Sequence, residues 1–89
     1  MMTSGQLRAA RALLGMEQKQ LARLADVSLP TIQRMEAGDG VVRGTVETLT
    51  KVIEALAQAG VDLVGDNARS EGGGRGVRLR QPAPSNPQD

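Results

Sequence analysis

The sequence predicts a small, mainly α-helical bundle built around a helix-turn-helix. Three observations predict it. The stretch Gln18 to Gly38, QKQLARLADVSLPTIQRMEAG, holds two short helical patterns separated only by Ala25-Asp26-Val27-Ser28, which leaves room for a helix-to-helix corner and nothing larger. The apolar residues on either side of that stretch also recur at spacings of three and four. Finally, the 89 residues include no Phe, Tyr, Trp or Cys, so one modest core of Leu, Ile, Val, Met and Ala is what the chain can build.

Taken in order, Thr3 or Ser4 caps a first helix that runs to about Leu14, with Leu7, Ala10, Leu13 and Leu14 on one face and Arg8 and Arg11 flanking it. Gly15 ends this helix, and Met16 fills the core at the connection. The second helix spans Gln18 to Ala25, with Leu21, Ala22, Leu24 and Ala25 as its apolar face. Ser28 caps the third, Leu29 to Ala37, by accepting from a free first-turn amide. Pro30 falls in that first turn, where a missing N–H costs nothing. Ile32 and Met35 supply its apolar side, and Gly38 stops it. Asp39 to Gly44 reads as a loop. Thr45 then caps a long fourth helix whose apolar positions are Val46, Leu49, Val52, Ile53, Leu56 and Ala57, closed by Gly60. Beyond Gly60 the period shortens to two. Val61-Asp62-Leu63-Val64 and Val77-Arg78-Leu79-Arg80 are strand candidates joined by a Gly-rich link, and residues 81–89 have the composition of a disordered tail.

Read from Gln18, the spacing resembles the helix-turn-helix of the XRE family, the lambda-repressor-like DNA-binding domains. Gln18 stands where members open the first motif helix, and Ala22 is the small residue where the two helices cross. Ile32 and Met35 form the aliphatic pair of the second, and Glu36-Ala37-Gly38 matches its Glu-x-Gly ending. Members also carry an Arg seven residues before the Gln, paired with the Glu near the end of the second motif helix, and Arg11 and Glu36 occupy those positions. Two positions depart from the pattern. Asp26 replaces the usual turn glycine, and Glu17 replaces the usual Ser or Thr cap. The resemblance covers roughly residues 4–60, taken as a helix-turn-helix DNA-binding domain of four helices. It also favours residues 61–80 as a short β-hairpin or dimerisation extension over a flexible tail, since a small set of XRE-like regulators follows the helices with a comparable GV, Gly-rich link and GVRLR arrangement.

The resemblance implies double-stranded DNA as partner, with the third helix in the major groove. The base-facing positions are then Leu29, Pro30, Gln33 and Arg34. Arg34 can donate two hydrogen bonds to guanine, Gln33 can pair with adenine, and Leu29 and Pro30 can touch only thymine methyls. Phosphate contacts fall to Gln18 at a helix N-terminus, to the hydroxyls of Ser28 and Thr31, and to Arg43 and Thr45 on the far side of the groove. Arg11 and Glu36 form a structural ion pair, and Arg78 and Arg80 are solvated strand residues.

The charge distribution suits such a partner better than the net charge of +1 does. Up to residue 44, Arg8, Arg11, Lys19, Arg23, Arg34 and Arg43 face Glu17, Asp26, Glu36 and Asp39, a net +2. From 45 to 66, Lys51 meets Glu47, Glu54, Asp62 and Asp66, a net −3; from 67 on, Arg69, Arg75, Arg78 and Arg80 meet Glu71 and Asp89, a net +2. The acidic block is expected to face away from phosphates.

Without His or Cys there is no imidazole or thiolate for a metal, and neither Cys–His nor Ser–His–Asp catalysis. The expectation is a non-enzyme without cofactor or metal. No apolar run approaches the ~20 residues of a membrane span and the N-terminus does not read as a signal peptide, so a cytoplasmic, nucleoid-associated protein with no membrane contact is expected. The reading that follows is a homodimeric repressor binding a palindromic operator. An antitoxin-type module that binds a toxin through Arg69 to Gln81 while autoregulating is the alternative. A helix-turn-helix used only for protein contacts is a third reading.

Overall fold

The computed structural model describes residues 2–64 and 75–79. Among them are four helices, α1 (Ser4–Leu14), α2 (Gln18–Ala25), α3 (Leu29–Ala37) and α4 (Val46–Ala59), followed by strands β1 (Val61–Val64) and β2 (Gly76–Leu79). Each helix start has a local cause. Thr3 and Gln6 form a capping box on α1, with Gln6 N–H donating to Thr3 Oγ1 at 3.0 Å and Thr3 N–H to Gln6 Oε1 at 2.9 Å. At α2, Glu17 N–H reaches the side-chain oxygen of Gln20 at 2.8 Å. Ser28 caps α3 and Thr45 caps α4, each accepting from the amide three residues on. The helix ends are cut by left-handed residues: Gly15 after α1, Asp26 after α2 and Gly60 after α4. Asp26, at φ 58° and ψ 46°, takes the conformation the turn demands without being glycine.

The helices and the hairpin share one core. Leu7 of α1, Leu21 of α2, Ile32 of α3, Val52 and Leu56 of α4 and Val61 of β1 are all fully buried in it. β1 and β2 pair antiparallel, with Val61 opposite Leu79, Asp62 opposite Arg78, Leu63 opposite Val77 and Val64 opposite Gly76. The hairpin packs on α1 and α4. An isolated two-stranded hairpin is marginal in water, so this packing is what makes the short strands viable. Gln6 anchors it: its buried amide Nε2 donates to Val64 O and to Gly76 O, both at 2.9 Å.

Several expectations need correction. Leu13, Leu24 and Val46 are exposed, by 45%, 59% and 73% respectively. Each has the right helical spacing but lies at the edge of a stripe wider than the surface its helix buries. Gly38 does end α3 as expected, with its backbone extended at φ −86° and ψ −175°. The segment 39–44 is not simply a loop. Thr3 and Val41 form an antiparallel bridge, Val42 N–H donates to Met2 O at 2.8 Å, and Ser4 N–H donates to Gly40 O at 2.9 Å. This pairing buries Met2 and Val42 in the core. The expected tail at 81–89, Arg80 and most of the Gly-rich link lie outside the described residues.

Candidate nucleic-acid interface

The motif helices α2 and α3 are held at their corner by small and branched side chains. Ala22 and Ala25 are buried, and Val27 N–H closes the turn onto Ala22 O at 3.0 Å. Ile32 and Met35 point α3 into the core, which turns Pro30, Gln33 and Arg34 outward, with Leu29 half-buried beside them. Gln33 and Arg34 have no partner among the described residues. An amide and a guanidinium left free on one helix face are donors available to an incoming acceptor.

Two surface grooves flank that face. Arg11, Glu17, Gln18, Lys19, Leu29 and Gln33 line the first, where the N-terminus of α2 meets α3. Arg34 and Arg43 line the second, together with Gly38, Asp39, Gly40 and the end of the 2–4 segment. The fold thus gathers Gln18, Leu29 and Gln33 on one side of α3 and Arg34 with Arg43 on the other. Ser28, Thr31 and Thr45 line neither groove. Their hydroxyls are also engaged locally: Ser28 Oγ and Thr31 Oγ1 lie 2.7 Å apart, and Thr45 Oγ1 donates to Thr48 Oγ1 at 2.9 Å. Glu47 stands exposed in the first turn of α4, an anion at the end where a phosphate would approach Thr45.

Lys19 is a member of the first groove that the sequence reading left out. It sits in the first turn of α2, where a cation opposes the helix dipole, two residues after the Glu17 N-cap that shares the groove. Lys19, Arg23, Arg34 and Arg43 are exposed cations without a partner among the described residues. Lys19 lies in the first groove beside Glu17, and Arg34 and Arg43 lie in the second beside Asp39.

Behind the face lies a buried polar cluster. Glu36, 4% exposed at its side chain, accepts from Arg11 Nε at Oε2 and from Arg11 Nη2 at Oε1, the latter at 2.7 Å. Glu36 Oε1 also accepts from Gln18 Nε2 at 3.0 Å. Arg11 Nη1 donates to Met16 O at 2.9 Å, so one guanidinium ties α1, the α1–α2 connection and α3 together. The hydrogen bond to Glu36 raises the pKa of Arg11 despite the opposing effect of burial, with the Glu36 charge adding to it. Arg8 supplements the cluster by donating through Nη1 to Glu36 O and Gly38 O, capping the C-terminal carbonyls of α3. Ser4 Oγ donates to Met35 O at 2.7 Å.

No helix among the described residues is long and apolar enough to cross a membrane. No curated protein matches the chain. A family model described as helix-turn-helix matches residues 7–59, which takes in the whole of α2 and α3 with most of α1 and all of α4. With that match, the outward α3 face and the Arg11–Glu36 pair in view, the chain belongs to the XRE, lambda-repressor-like helix-turn-helix family of DNA-binding transcription regulators.

Proposed function

We propose that the protein is a sequence-specific repressor that binds a palindromic operator as a homodimer at the nucleoid. The observation that carries this reading is the free, outward pair Gln33 and Arg34 on α3, bracketed by grooves that hold Gln18 and Lys19 on one side and Arg43 on the other. In the major groove Arg34 reads guanine and Gln33 reads adenine, while Leu29 and Pro30 meet thymine methyls. Gln18, Lys19 and Arg43 take the flanking phosphates. Ser28 and Thr45 contribute through the ends of α3 and α4 that they cap, and the Ser28–Thr31 hydroxyl pair, which commits one of its two hydrogens internally, keeps the other for a phosphate. Residues 61–80 serve as the dimerisation extension, and occupancy of the operator excludes polymerase. The chemistry needs no cofactor.

Selection from random duplex DNA at two salt concentrations tests this. The expected product is an inverted repeat with half-sites about one helical turn apart, bound less tightly at the higher salt. Arg34→Ala should then cost about 1–3 kcal/mol and relax preference at the guanine it reads. Undiminished binding and specificity in that variant would rule out α3 as the reader.

A second reading, an antitoxin-type module, draws on β2. This strand falls within the segment expected to hold a toxin, and its Leu79 is 52% exposed. Here the tail engages a protein partner while the helices autoregulate. Purification of the chain alone as a stable dimer that binds its operator fully would count against this reading.

A further inference from the structure

The buried cluster behind the interface does more than join helices. We propose that Glu36, neutralised by Arg11, is a positioning residue for Gln18: it holds the Gln18 amide with one Nε2–H turned inward, leaving the other N–H for a DNA phosphate. The inference rests on the DNA-binding reading above.

The chemistry of the partners dictates the orientation. An ionised carboxylate can only accept hydrogen bonds, so the group of Gln18 that faces Glu36 Oε1 at 3.0 Å has to be the amide nitrogen. The amide oxygen is thereby turned away from Glu36, and a second N–H has no partner among the described residues. Gln18 is half-buried and lines the open groove with Arg11, Glu17, Lys19, Leu29 and Gln33, where Lys19 offsets the exposed Glu17 carboxylate, so an acceptor entering that groove meets a glutamine already ordered. A free surface glutamine would present oxygen as readily as nitrogen, and a phosphate repels the oxygen. Fixing the amide beforehand removes that ambiguity and the ordering cost that binding would otherwise incur.

The charge also has to be handled. A carboxylate this near a phosphate site would repel the DNA if it stood alone. Arg11 covers it with two hydrogen bonds, one to each oxygen, so the cluster presents no uncompensated anion. Oε1 is then shared between Arg11 and Gln18, whereas Oε2 serves Arg11. The ion pair and the phosphate contact are one connected unit running from α1 through α3 to the N-terminus of α2.

A double-mutant cycle on the full chain tests this. The affinity of wild type, Gln18→Ala, Glu36→Gln and the double variant would be measured for the selected duplex at one salt concentration. A hydrogen bond to a charged group corresponds to about a tenfold loss when removed. Each single variant should lose about tenfold, and the double variant should lose about tenfold as well, because both changes remove one contact. Losses that multiply to about a hundredfold would overturn the proposal and leave Glu36 purely structural. Should Glu36→Gln fail to fold, side-chain amide NMR of the wild type decides. One Gln18 Nε2 proton should exchange more slowly than those of the exposed Gln33 amide and stay in place when duplex is added, while the other shifts. Two Gln18 protons exchanging like those of Gln33 would refute the orientation. Failure of the wild type to bind any duplex would refute the DNA reading itself, and that is seen before any variant is compared.

Discussion

Glu36 illustrates how much a single side chain decides in a domain of this size. It is buried, it carries charge, and it satisfies two donors from Arg11 and one from Gln18. Replacing it with Ala strands Arg11 beside an apolar core. Full loss of a buried partner costs about 3–5 kcal/mol, but Arg11 keeps 22% of its side-chain surface in solvent, so Glu36→Ala should lower unfolding free energy by about 2–3 kcal/mol. Urea denaturation monitored by far-UV circular dichroism gives that value. Because the folded-state pKa of Arg11 is raised, its contribution is complete below the ordinary arginine range and is lost only at still higher pH. Asp26 offers a change in the opposite direction. Among the described residues no side-chain hydrogen bond offsets its left-handed backbone, and Asp26→Gly should raise stability by about 0.5–1 kcal/mol, seen as a higher Tm. Arg11, Glu36 and Asp26 were legible through the family resemblance. That Gln18 faces Glu36 was not, since residues eighteen apart carry no local signal of contact.

At the scale of elements, the hairpin depends most on the rest of the fold. β1 and β2 are four residues each, and one buried glutamine of α1 holds a carbonyl from both. Gln6→Leu leaves Val64 O and Gly76 O without that donor and Thr3 N–H without its acceptor. Each unsatisfied buried group costs about 1–3 kcal/mol. Amide exchange should therefore accelerate across 61–64 and 76–79 in this variant while Leu21 and Ile32 keep their protection. Uniform acceleration over the whole chain would instead mean that the hairpin and helices unfold as one unit. The four helices were readable because apolar spacing marks each of them and Thr3, Ser28 and Thr45 cap three of the four. The N-terminal pairing of 2–4 with 40–42 was not, because a one-residue bridge has no periodicity to detect.

For the whole molecule, the exposed cations Lys19 and Arg43, proposed to meet phosphates, are expected to set the dependence of DNA binding on salt. Each phosphate neutralised contributes about −0.9 to the slope of log affinity against log salt. Arg43→Ala should weaken binding to all sequences alike and reduce the slope by about 1 per subunit, whereas Arg34→Ala should mainly relax sequence preference. Titrations at four or five salt concentrations separate the two. The all-aliphatic core bears on assembly, since small domains bury a modest fraction of their surface. If the dimer supplies the missing burial, Tm should rise with protein concentration over a hundredfold range. A constant Tm would point to a stably folded monomer.

The sequence by itself determined the helix-turn-helix. Its caps, its corner, its apolar spacing and the Arg11–Glu36 pairing are local or family-level features, each written in a few residues. Tertiary structure alone decided which apolar positions are used, because the neighbouring surface available to each helix sets how wide a stripe it can bury; Leu13, Leu24 and Val46 fall outside it. Only tertiary structure likewise brought Met2 and Val42 into the core, stapled the hairpin through Gln6, and turned the Gln18 amide toward Glu36. These are contacts between distant segments, and a hydrogen bond between distant residues exists only once packing has excluded the water that would otherwise satisfy both partners.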